Sequence, residues 1–124
     1  MNAERESDPG EARSSSVLAE ISRAMVGLYK EQLGRGPTRS RTDFAGPDIV
    51  VCTLEDTMTQ AERRLAEIGD QQRLRETRLH LQHATQGQFN AAIERILERK
   101  VRAFISGIDT EGDVSAEVFY LEPA

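Results

Sequence analysis

The chain has 124 residues, 38% of them hydrophobic and 30% charged, with a formal net charge of -5. That length fits one domain with a buried core, and the acidic balance argues against nonspecific nucleic-acid binding, which draws on clustered Lys and Arg. With no Trp, two Tyr and four Phe, the chain is also short of aromatic platforms for single-stranded nucleic acid.

No apolar run approaches the roughly 20 residues that span a bilayer, so no direct membrane insertion is expected. The opening MNAERESDPGEARSSS is polar and acidic, without the apolar region of a signal peptide. A cytoplasmic location is the expectation. The single cysteine, Cys52, excludes an internal disulfide and fits a reducing compartment.

In chain order, residues 1–15 read as a flexible polar tail, with too little apolar surface to offset ordering. Residues 16–124 read as a single α+β domain. A first helix is predicted from Ser16 to Leu33, where Leu18, Ile21, Met25 and Leu28 recur at helical spacing. Gly34 and Gly36-Pro37 end it. Thr38 to Phe44 alternates as a polar edge strand, and Ile49 to Leu54 is an apolar strand inside the sheet. The turn residues Ala45-Gly46-Pro47-Asp48 join them in a hairpin.

Thr59 and Glu62 have capping-box spacing and open a short helix, broken at Gly69-Asp70. A long helix is expected from Gln71 to Arg99, with Gly87 marking a kink or a close contact. Two further strands, Val101 to Ser106 and Val114 to Leu121, form a second hairpin around the loop GIDTEG. The predicted order is therefore α-β-β-α-α-β-β, a mostly antiparallel four-stranded sheet of two hairpins packed with a long helix. This arrangement is similar to the tunnelling fold of pterin- and purine-handling enzymes, a likeness of topology that fixes no function.

The expected core comprises the first-helix stripe, Leu81, Phe89, Ile93 and Ile96 of the long helix, and one parity of each apolar strand. Those parities are Ile49 and Val51; Val101, Ala103 and Ile105; and Val114, Ala116 and Val118. Phe104, Phe119 and Leu121 fall on the opposite parity, so both faces of the sheet want cover. Either the helices lie on opposite faces or a second subunit shields one of them. The expectation is a homodimer.

Candidate sites are sparse. His80 and His83 stand three apart on the long helix, but two ligands are too few for a metal centre, and neither a metal nor a cofactor is expected. Cys52 in its apolar strand reads as a small buried hydrophobe. Asp109, Glu111 and Asp113 lack the twelve-residue calcium-loop pattern, and no nucleophile triad or phosphate loop is present. No catalytic residue is identified. Arg39 and Arg41 on one strand face, with Arg75 and Arg78 on the long helix, are the candidate anion- or partner-binding residues, provided that helix packs near that strand.

The segment GRGPTRSRTDFAGPDIVVCTLEDTMTQAERRL, the arginine-rich start of the long helix and the ending DTEGDVSAEVFYLEP carry a family resemblance. From about Ser16 to Pro123 the chain resembles the MpsC-like family. This is a bacterial domain of unknown function named after a Na+-translocating membrane-potential-generating system. The resemblance implies a peripheral or regulatory association with such a membrane system and carries no catalytic or binding residues.

Three readings follow. The first is an oligomeric interaction or regulatory module, the second a domain that binds an anionic small molecule, and the third an enzyme whose site lies between subunits.

Overall fold

The computed structural model describes residues 9–124. Residues 1–8 of the expected tail lie outside the described residues. Helix α1 (Pro9–Leu33) begins ahead of the expected Ser16. Proline is well placed at a helix start, where its missing N–H has no partner to lose. Ile21, Met25 and Tyr29, four residues apart, form its buried stripe. Gly34 ends the helix at φ 82°, donating its N–H to the Lys30 carbonyl at 2.9 Å. At Gly36 a side chain would begin 3.3 Å from Val26 Cγ1, so glycine lets the chain turn back close against the helix.

Strands β1 (Arg39–Phe44) and β2 (Ile49–Glu55) form the first hairpin, closed by an Ala45 N–H to Ile49 carbonyl bond of 2.8 Å. Helix α2 (Gln60–Glu67) carries the predicted capping box. The Glu62 N–H donates to Thr59 Oγ1 at 3.1 Å, and the Thr59 N–H to Glu62 Oε1 at 2.9 Å. Asp70 caps helix α3 (Gln71–Leu97), and Glu98, in the left-handed region at φ 55°, ends it. A methyl group added at Gly87 would meet nothing within 4 Å, so this glycine makes no close contact. Strands β3 (Val101–Asp109) and β4 (Val114–Leu121) complete a fully antiparallel sheet of order β1-β2-β4-β3. The α+β class and the element order agree with the sequence reading.

Both long helices cover the same side of the sheet. Ile21, Met25 and Tyr29 of α1 share one core with Phe89 and Ile93 of α3, and with Val50, Cys52, Leu54, Phe119 and Leu121 of the strands. The expected strand parity is therefore corrected. Ala103, Ile105 and Val114 are exposed, Ile105 at 56% and Val114 at 41%. Ile49, Val51, Ala116 and Val118 lie half-buried on the uncovered side. Phe104, Phe119 and Leu121 instead face the helices, where Phe104 and Phe119 stack at 4.7 Å. Both parities are apolar, so alternation alone cannot choose between them. The choice falls to the larger side chains, which remove more apolar area from water. The irregularity between Val101 and Ala103 accommodates the register.

Arg99 clamps the connection from α3 to β3. Its guanidinium donates to the Pro47 carbonyl at 2.8 Å, to the Glu122 carbonyl at 2.7 Å and to Asp48. The clamp ties the end of the sheet to the first hairpin turn.

The parity assignment gives a direct test. Ile93→Ala will cost about 2–5 kcal/mol through lost transfer energy and a cavity. Ile105→Ala will cost within about 0.5 kcal/mol, as surface substitutions do. Urea unfolding of the two variants in dilute solution measures the contrast. Gly87→Ala, in an exposed helix interior with free space, will raise stability by about 1 kcal/mol in the same assay.

Candidate functional site

Two features of this fold can carry function: a cavity under the helices and the uncovered face of the sheet. The cavity, of about 320 Å³, opens between the C-terminal end of α1, the first half of α3 and the β3–β4 hairpin. Leu33, Leu81, Phe89 and Phe104 give it apolar walls, and Leu79, 52% exposed, stands at its border. Tyr29, Phe89 and Phe104 continue a line of rings, with Tyr29 meeting Phe89 edge-on at 6.1 Å and Phe89 stacking on Phe104 at 5.7 Å.

A carboxylate lies in this apolar setting. Glu117 is 2% exposed, on the helix-facing parity of β4 between the buried Ser115 and Phe119. The Tyr29 hydroxyl donates to its Oε2, and its Oε1 has no hydrogen-bond partner. Burial pushes its carboxyl up to about 7, against the opposing pull of the Tyr29 hydrogen bond, the nearby Ser106 hydroxyl and the charge of Arg78. Burial also raises the Tyr29 hydroxyl far above its ordinary value, reinforced by the charge of Glu117. Tyr29 is therefore a fixed donor at neutral pH. Cys52, opposite Glu117 in the β2–β4 register, is buried, and its thiol is pushed up to about 11 by desolvation.

Beside Glu117 lies a second charged group with its partners complete. Arg78 donates from Nε to Glu62 Oε2 at 2.5 Å and from a terminal nitrogen to Glu62 Oε1 at 2.9 Å. It also reaches the Thr57 carbonyl at 3.3 Å. Burial works to raise Glu62, but the bidentate arginine and the capping bond to Thr59 hold it below its ordinary value. The capping box thus aims Glu62 at Arg78 and joins α2 to α3. Around it, Asp113 Oδ1 accepts the Thr57 N–H at 2.9 Å, and Arg35 pairs with Asp56 at 3.1 Å.

The four arginines singled out from the sequence fall into two places. Arg75 and Arg78 border the cavity. Arg39 and Arg41 lie on β1, at the opposite edge of the sheet from β3, which α3 overlies. Arg41 pairs with the neighbouring Asp43 at 2.8 Å. His80 and His83 are exposed on α3. Sequence reasoning named neither Glu117 nor Tyr29 as a site residue. The signal that could have found Glu117 is its shared parity with the large apolar Phe119 and Leu121.

The uncovered face forms rows across the four strands. One row runs Asp43, Val51, Val118, Ile105, and the next runs Ile49, Tyr120, Ala103. At the far end Arg39, Glu55, Val114 and Asp109 make a charged row. Arg102 lies 5.4 Å from the centre of the Tyr120 ring.

A family profile described as "Na+-translocating membrane potential-generating system (MpsC)" matches residues 13–123. The chain belongs to the MpsC family. No curated protein and no solved structure matches it. Among the described residues of this MpsC chain, no helix is long and apolar enough to cross a membrane. The family's name links it to a Na+-translocating system that generates membrane potential.

The raised Glu117 carboxyl sets a pH dependence of stability. The folded state binds this proton more tightly than the unfolded chain does. Stability therefore falls as pH rises from the ordinary glutamate range to about 7, and is flat above it. The titratable and charged groups facing Glu117 are Tyr29 from α1, Arg78 from α3 and Cys52 from β2. None of these three titrates in that window, so the change belongs to Glu117. The loss is on the order of 3 kcal/mol. Glu117→Gln will abolish this slope, as read by denaturation midpoints between about pH 4.5 and 8. Glu62→Gln, which leaves the Arg78 charge buried without its counter-ion, will destabilise by about 3–5 kcal/mol at pH 7 in the same measurement.

Proposed function

We propose that this chain is a homodimeric interaction and regulatory module, cytoplasmic in a bacterial cell, that serves a Na+-translocating membrane system as a peripheral partner. The observation that carries this reading is the uncovered, largely apolar face of the sheet, with Val51, Val118, Ile105, Ile49 and Tyr120 at its centre. Both helices are spent on the other face, so no helix of the described chain shields these side chains. An apolar face rimmed by charge is the signature of a protein contact.

A second copy is the occupant that the charge pattern fits. A two-fold axis parallel to the strands lays β1 of one subunit over β3 of the other while keeping each row in register. The apolar rows then meet each other, and Arg39 faces Asp109 of the partner subunit across the rim. A two-fold axis across the strands would set apolar rows against charged ones. Arg39 thereby serves as a partner-binding residue, with Arg41 next to it on the same strand face and paired to Asp43. The anion-binding alternative is less well supported. Arg78 is neutralised by Glu62, and Arg39 and Arg41 lie at the opposite sheet edge from the strand that borders the cavity with Arg75.

Four strands spaced ~4.8 Å apart and seven residues rising ~3.4 Å each give a face of roughly 450 Å² per subunit. That is about 900 Å² in total, below the standard size of stable specific interfaces, and implies a weak, concentration-dependent dimer. Light scattering across the micromolar range tests this, with a rise from monomer to dimer mass expected. Val118→Lys will keep the fold and abolish the rise, and Arg39→Glu will weaken it. A wild-type mass that stays monomeric, or a dimer indifferent to Val118→Lys, would falsify the reading.

A further inference from the structure

We propose that the cavity between α1, α3 and the β3–β4 hairpin is a binding site for a small lipophilic amine. Its ammonium donates to Glu117, and its hydrocarbon or aromatic body lies against Leu33, Leu81, Phe89 and Phe104. The proposal is independent of the dimer reading, since it rests on the helix side of the sheet and not on the uncovered face.

Three observations meet here. The first is space. A cavity of about 320 Å³, apolar over most of its lining and edged by the polar side chains of Gln32, Gln82, Thr85 and Ser106, has the size and character of a small-molecule site. The second is an unmet hydrogen bond. Glu117 lines this cavity at 2% exposure, Tyr29 supplies a donor to one carboxylate oxygen, and the other oxygen has none. A buried acceptor left unpaired carries a desolvation cost that a ligand donor would relieve.

The third observation is charge balance. Arg78 is the cation nearest Glu117 among the cavity residues, yet it is paired bidentately with Glu62, so that pair contributes no net charge. Ionised Glu117 is the uncompensated charge of the interior wall. Arg75 is exposed, with its charge in solvent, where it is screened. A monocation restores neutrality, whereas a carboxylate would add a second negative charge beside Glu117.

The same full-length chain, titrated calorimetrically at pH 8, provides the test with three probes of one shape: 2-phenylethylamine, 2-phenylethanol and phenylacetate. The amine is expected to bind saturably, at least about tenfold more tightly than the alcohol, a factor that corresponds to one charge-assisted hydrogen bond. Phenylacetate is expected not to compete. Glu117→Gln should reduce the amine to the level of the alcohol.

Equal binding of amine and alcohol, or no binding of either, would overturn the proposal. Tighter binding of phenylacetate would overturn it in favour of an anion site at Arg75 and Arg78. Thr85→Phe provides a control that leaves Glu117 untouched while filling the cavity. It should abolish amine binding, and retained binding would place the amine elsewhere and sink the assignment. Light scattering on the same samples separates this outcome from any failure to dimerise.

Discussion

Strand β4 is held between β2 and β3, and its pleat assigns every second side chain to the same face. Once Phe119 and Leu121 turn toward the helices, Ser115 and Glu117 must turn with them. The cavity, the buried carboxylate and the uncovered apolar face all descend from that one constraint. A register slip by a single residue would move Glu117 to solvent and Val118 into the core. It would also give up the stacking of Phe119 on Phe104 and leave Tyr29 without its acceptor.

The interior holds charge in two different ways. Arg78 and Glu62 form a bidentate pair whose geometry is prepared by the capping box of α2, so the charged forms of both are favoured despite burial. Glu117 meets only neutral hydroxyls, Tyr29 bonded to one oxygen and Ser106 close by, and burial therefore dominates and lifts its carboxyl to about 7. A fold that satisfies one buried charge fully and leaves another half-satisfied departs from local consistency at one place, and such departures concentrate at functional positions.

The two faces of the sheet in this MpsC chain offer different chemistry. Across the sheet from the cavity, the uncovered side offers a broad, flat surface suited to a protein partner. Between them lies one layer of strands. Glu117 and Val118 are adjacent residues on opposite faces of β4. A ligand that orders the cavity and a partner that covers the open face would therefore act on the same strand, which is the physical basis on which a small sheet domain can couple the two.

The sequence by itself determined the class, the order of elements, both hairpins, the capping box at Thr59 and Glu62, and the helix stop at Gly34. It also carried the family resemblance. These are local features, in which turn chemistry, caps and helical spacing act within a few residues of one another. The helix stripe Ile21–Met25 was legible for the same reason.

The tertiary structure alone decided which face of the sheet the helices cover. Ile49 to Leu54, Val101 to Ile105 and Val114 to Leu121 are apolar on both parities, so no local pattern distinguishes inside from outside. Only packing against α1 and α3 selects the larger Phe104, Phe119 and Leu121 over Ile105 and Val118. The site followed that choice. Glu117 and Tyr29 are 88 residues apart, and a hydrogen bond at that separation exists only after the helix and the central strand have docked.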